Sequence, residues 1–149
     1  MLTLSLSDEA ATQALAARLA PHLRAGDVVT LRGDLGAGKT ALARFLIRHL
    51  ADDAAEEVPS PTFTLVQTYE HLSPPVWHFD LYRLTDPGEV VELGWEEARD
   101  ACALVEWPER LGPLLPRDRL DVQLTLDGPT VRRAVITGHG AWAERVAGI

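Results

Sequence analysis

Eight consecutive residues carry the strongest chemical signal in the chain. Gly33-Asp34-Leu35-Gly36-Ala37-Gly38-Lys39-Thr40 fits the spacing G-x-x-x-x-G-K-[ST]. Glycines at these positions allow backbone conformations that turn consecutive N–H groups toward an anion. A helix opening directly after them adds a favourable dipole. The Lys39 ammonium can reach β- and γ-phosphate oxygens, and the Thr40 hydroxyl can coordinate Mg²⁺. Lys39 is also the only lysine among 14 basic residues, the rest being arginine. A glycine turn with an incidental lysine would have to place that one lysine at the motif position by chance.

A phosphate loop of this kind also needs an acid to hold the metal or to orient water. Two acids end short apolar runs that read as core strands. Asp80 follows Val76-Trp77-His78-Phe79, and Glu106 follows Ala101-Cys102-Ala103-Leu104-Val105. Position alone leaves open which of them faces metal and which faces water. Guanine recognition through N-K-x-D is excluded, because the chain has no asparagine and no second lysine. Adenine is the default base.

These residues need elements to hold them. Val28–Leu31 is a β-branched apolar run suited to a buried parallel strand, and Leu42, Phe45, Leu46 and Leu50 repeat at helical spacing after the loop. Upstream, Met1–Ser5 reads as a strand, and Ser7 as the N-cap of a helix whose apolar face is Ala11, Leu15, Leu19 and Leu23. Strands are expected at Thr62–Tyr69 and Val76–Tyr82. Asp86-Pro87-Gly88-Glu89 has the pattern of a capped helix start, with the helix continuing to Asp100 and breaking at Gly94. Leu120, Val122, Leu124 and Leu126 alternate with polar residues. The turn Asp127-Gly128-Pro129 and the alternation Val131, Arg133, Val135 complete a β-hairpin. A short helix is expected around Trp142–Val146. The fold class is therefore α/β: a three-layer P-loop NTPase-like domain with a mostly parallel central sheet, a C-terminal antiparallel hairpin, and one domain over residues 1–149.

Composition narrows the function. Twenty-two acids against 14 bases give a net charge of −8, which argues against gripping nucleic acid or anionic lipid directly. Cys102 is alone, so an intrachain disulfide and a CxxC metal site are impossible. No signal peptide is visible, and no apolar run approaches the roughly 18 residues that span a membrane. A cytoplasmic location is expected.

Four motifs in order, GDLGAGKT at Gly33–Thr40, SPTFTLV at Ser60–Val66, HFDLYR at His78–Arg83 and VEWPE at Val105–Glu109, resemble the bacterial TsaE (YjeE) family over essentially the whole chain. The resemblance implies a Mg²⁺-dependent ATPase required for N6-threonylcarbamoyladenosine in tRNA, acting with TsaD and TsaB. By this likeness Gly36, Ala37, Gly38, Lys39, Thr40 and Ala41 cradle the nucleotide, and Ala41 stands where many members carry a second threonine. Thr40 and Glu106 are implied on the metal side, and Asp80 is implied in hydrolysis. Thr62 and Thr64 occupy a switch-like loop, and Trp107 matches a functional tryptophan. With no tRNA-gripping face of its own, the chain is expected to leave RNA contact to its partners.

Neighbouring residues have blander readings. His78 reads as a packed strand histidine. Tyr82 and Arg83 are candidates to contact a partner or nucleotide, and Arg83 has the alternative of simply pairing with nearby acids. The run Asp86–Asp100, with six acids and one arginine, reads as a solvated face. No arginine finger is assignable within the chain, so slow turnover without partners is expected. Two rival functions share the phosphate loop: a small-molecule kinase, which needs an arginine-rich lid not seen here, and a nucleotide-binding regulator that does not hydrolyse.

Overall fold

The computed structural model describes residues 1–149. Its seven strands are β1 (Leu2–Leu6), β2 (Val28–Arg32), β3 (Val66–Tyr69), β4 (Val76–Asp80), β5 (Cys102–Glu106), β6 (Arg119–Leu126) and β7 (Arg132–His139). They form one sheet in the order β1-β7-β6-β2-β5-β4-β3. The four central strands β6, β2, β5 and β4 are parallel, and β3 and β7 run against them. β1 pairs antiparallel with β7 and so points the same way as the central four. The mostly parallel α/β sheet with a late hairpin is thus what forms.

The central strands are apolar on both faces because both faces are covered. On one side α1 (Glu9–Leu19) and α2 (Lys39–Ala51) pack over Val29, Leu31, Leu104 and Val122. On the other, the short helices α3 (Glu89–Glu92) and α4 (Trp95–Ala98) cover Val28, Phe79, Ala103 and Val105. Successive strand residues point to opposite faces. On β4, therefore, Trp77 and Phe79 enter the second core, while Val76, His78 and Asp80 face the side on which α2 lies.

Several local expectations are corrected. The cap of α1 is Asp8, not Ser7: its carboxylate accepts the Ala11 N–H at 2.9 Å. The strand expected from Thr62 begins only at Val66, because the Leu65 N–H bonds the Pro61 carbonyl at 2.7 Å and Leu65 adopts φ +69°. The strand expected to reach Tyr82 stops at Asp80, whose Oδ1 accepts the Tyr82 N–H and turns the chain. The acidic helix divides into α3 and α4 at Gly94, as its glycine suggested. There φ is +97°, and a Cβ would press on the Trp77 ring at 2.8 Å. The expected hairpin forms from β6 and β7, and on β7 the residues that face the core are Ala134 and Ile136.

The last helix, α5 (Trp142–Arg145), closes the first core. Trp142 is fully buried. The Arg145 guanidinium lies 3.6 Å from its ring centroid and makes two bonds to Asp27, at 2.6 and 2.9 Å. Asp27 precedes β2 and also caps the Arg24 N–H. Removing one partner leaves a largely buried carboxylate without its cation. Arg145→Ala is therefore expected to lower the free energy of unfolding by about 2 kcal/mol. Urea titration checks this; a change below about 0.5 kcal/mol, the scale of an ordinary surface substitution, overturns it.

Candidate functional site

The loop between β2 and α2 takes its shape from its glycines. Gly33 has φ +147°, and a Cβ there would collide with the Leu124 carbonyl of β6 at 2.5 Å. Gly36 and Gly38 have φ +81° and +106°, and a Cβ on either would meet nothing within 4 Å. For these two the constraint is therefore the backbone conformation itself. No side chain caps α2 at Gly38, so its first N–H groups are free to bind an anion.

Lys39 is 5% exposed. Its Nζ donates to the Gly33 and Asp34 carbonyls at 2.5 and 2.9 Å and lies 4.3 Å from the Trp107 ring centroid. Burial pushes its pKa down, against the opposing pull of Glu106 and Asp80. Trp107 reaches the lysine because its backbone is left-handed, φ +58°, just after β5. The Tyr82 ring meets Trp107 edge-on with centroids 4.9 Å apart.

The two acids arrive side by side, because β4 and β5 pair in a register that sets Asp80 opposite Glu106. Their partners differ. Glu106 Oε1 accepts the Thr40 hydroxyl at 2.8 Å, and Oε2 meets His78 Nε2 at 2.7 Å. Asp80 Oδ1 accepts the Tyr82 N–H at 3.0 Å, and Oδ2 faces the Thr62 hydroxyl at 3.5 Å. Thr62 in turn touches Ser60 Oγ at 2.7 Å. Burial pushes the Asp80 pKa up, the Tyr82 N–H opposes this, and Glu106 adds to it.

A cavity of about 630 Å³ opens over this arrangement. Gly36, Gly38, Lys39, Thr40 and Ala41 form its floor, and Thr62, Asp80, Glu106 and Trp107 also line it. Ala37 and Thr64 are placed elsewhere. The Ala37 side chain is buried in the core and its N–H bonds the Asp34 carbonyl. Thr64 is exposed and bonds Gln67.

Three residues join the site that were not assigned to it. Tyr82 and Arg83 line the cavity, and His78 holds Glu106 from behind. The signal for His78 was its spacing two residues before Asp80, which puts both on one face of a strand. Arg83 is the only cation beside Lys39 in the lining. It is in no ion pair, and its guanidinium carbon rests 4.5 Å from the ring centroid of Phe63, itself 79% exposed. Two cations do not make the arginine-rich lid of a small-molecule kinase. Cys102 takes no part, being buried with its thiol pushed up to about 12.

The hard-oxygen pair Thr40–Glu106 suits Mg²⁺, which takes one or two protein oxygens and completes its octahedron with phosphates and water.

Glycine loop, buried lysine and paired strand-end acids on this sheet define a P-loop NTPase-like α/β protein. A crystal structure of Bacillus subtilis YdiB has the same fold, with a TM-score of 0.80 and 29% identity, over 99% of this chain and 91% of that one. Residues 6–135 match the family model described as threonylcarbamoyl adenosine biosynthesis protein TsaE, and the chain belongs to that family. It is 41% identical over 137 residues to the tRNA threonylcarbamoyladenosine biosynthesis protein TsaE of Rickettsia conorii, spanning 91% of this chain and 78% of that one. To the protein of the same name in Bacillus subtilis it is 36% identical over 132 residues, 87% and 80% of the two chains. No helix is long and apolar enough to cross a membrane.

Proposed function

We propose that this chain is a Mg²⁺-dependent ATPase that serves N6-threonylcarbamoyladenosine modification of tRNA in the cytoplasm, supporting the turnover of a TsaD–TsaB complex. The observation that carries the reading is the meeting of Lys39, Thr40, Glu106 and Asp80 in one cavity at the mouth of the glycine loop. Family membership supplies the pathway.

The division of labour follows from the hydrogen bonds. Glu106 already serves two donors and is buried, so it is poorly placed to take a proton from water. With Thr40 it would hold Mg²⁺, which when bound neutralises charge between the β- and γ-phosphates. Asp80, with Oδ2 turned to Thr62 in the cavity, orients the attacking water in line with the γ-phosphate. Thr62 links that acid to the loop after Pro61 and so senses whether a γ-phosphate is present. Backbone N–H groups of Gly36, Gly38, Lys39, Thr40 and Ala41 and the Lys39 ammonium bear the phosphate charge. Arg83 reaches the cavity but rests on Phe63, so the isolated chain turns over slowly and partner binding completes the site.

The test is reconstitution with TsaD, TsaB and tRNA. With ATP, modification proceeds through many turnovers; with a non-hydrolysable analogue, or with Asp80→Ala or Glu106→Ala, it stops after about one. Multiple turnover sustained by those variants sinks the hydrolytic role. Hydrolysis by the isolated chain as fast as by the assembly sinks the partner dependence.

A further inference from the structure

His78 is a fully buried polar side chain whose ring has a single polar contact. The residue is 0% exposed, Nε2 lies 2.7 Å from Glu106 Oε2, and Nδ1 has no partner. A histidine serving only to fill this space would leave a polar atom unpaired at each end of the ring, at a cost that an apolar residue avoids. The free Nδ1 also settles which nitrogen carries hydrogen. A buried N–H without an acceptor costs more than a buried lone pair, so Nε2 bears the proton and donates to Glu106. β4 supplies the histidine to Oε2 on the same face of the sheet on which α2 supplies the Thr40 hydroxyl to Oε1 at 2.8 Å. The carboxylate is thus gripped at both oxygens by two different elements, and neither rotation nor withdrawal is possible without losing a bond.

We propose that His78 is a positioning residue: by holding Oε2 it fixes the Glu106 carboxylate so that Oε1 stays aimed at the Thr40 hydroxyl and the Mg²⁺ position. This rests on the reading of Thr40 and Glu106 as the magnesium pair. Residues that orient a metal-ligating group typically change metal affinity by about 10–100-fold when replaced. The distinguishing consequence is selective. Loss of the His78 donor weakens the magnesium-dependent part of nucleotide binding and leaves the magnesium-free part, carried by the loop N–H groups and Lys39, as it was.

The experiment is calorimetric titration of the full chain with ADP, in EDTA and across a Mg²⁺ series, with no turnover measured. His78→Leu removes the donor at similar volume, His78→Asn keeps a polar group too short to reach Glu106, and His78→Gln returns an Nε2–H donor at similar reach. For Leu and Asn the Mg²⁺ concentration giving half of the full tightening rises about 10–100-fold, while ADP affinity in EDTA stays within about twofold. For Gln it returns to within about threefold of the parent. If the parent tightens with Mg²⁺ and the variants tighten at the same concentration, the role of His78 is overturned while the magnesium pair stands. If Gln behaves like Leu, or if ADP affinity in EDTA falls equally in all three, His78 is only a packing residue. If the parent itself is indifferent to Mg²⁺, the magnesium reading of Thr40–Glu106 fails first. Should Leu not fold, the contrast between Asn and Gln decides the same question.

Discussion

Replacing Lys39 by alanine is expected to weaken ATP binding by about 10²–10³-fold, corresponding to roughly 3–4 kcal/mol of charge-assisted contact. The effect is large because the lysine is already in place. Its ammonium is buried beneath Trp107 and held by two loop carbonyls, so little side-chain entropy remains to be lost when phosphate arrives. Burial also disfavours the isolated cation, and the incoming phosphate charge reverses that penalty. Lys39→Arg should not rescue, because a planar fork does not fit a slot closed by Trp107 and the Gly33 carbonyl. Calorimetry with ATP checks both variants. Undiminished affinity in Lys39→Ala would remove the phosphate-loop assignment altogether.

Asp80→Asn is expected to lower hydrolysis by about 10²–10⁴-fold, the range for loss of a positioned base, with ATP affinity changed by no more than about threefold. Asparagine keeps an oxygen for the Tyr82 N–H, so the turn after β4 survives and the defect isolates the carboxylate's charge. The pH dependence has a definite sign. Burial holds the Asp80 pKa above its ordinary value, so activity that needs the carboxylate is lost on acidification at a pH higher than an exposed aspartate would give. Stability moves the other way. The folded state disfavours the charged form, and as pH falls through the raised pKa the resulting penalty disappears. The contributions of Asp80 to the rate profile and to stability over the acidic range therefore have opposite signs, and the difference between parent and Asp80→Asn melting curves isolates the second. Full turnover by Asp80→Asn would assign the water to another group.

What could be read from sequence was what local chemistry dictates. The glycine loop is a contiguous device whose positive φ values belong to its own residues, so GDLGAGKT located it without a fold. Asp80 and Glu106 were legible as strand-end acids because the runs before them are apolar but for His78. Other features depended on partners far along the chain. Thr62–Leu65 has the composition of a strand, but the Leu65 N–H turns back to the Pro61 carbonyl, and the segment becomes a turn beside the cavity. The grip of His78 on Glu106 exists only because β4 pairs with β5 in one particular register. Arg83 could not be separated from a surface ion pair until its contacts were seen, and its neighbour proved to be an exposed aromatic ring.

The position of β1 bears on the making of the protein. It lies at the sheet edge with β7 as its sole neighbour, Leu2 facing Ile136. β1 is made well before the strand it pairs with, and so finds its place late. At about 5–20 residues per second, some ten seconds of synthesis separate the two strands. Over that interval β1 has no strand to pair with, while α1 can already pack against α2. Closure of the sheet at this edge is accordingly expected late, because it joins segments far apart in the chain.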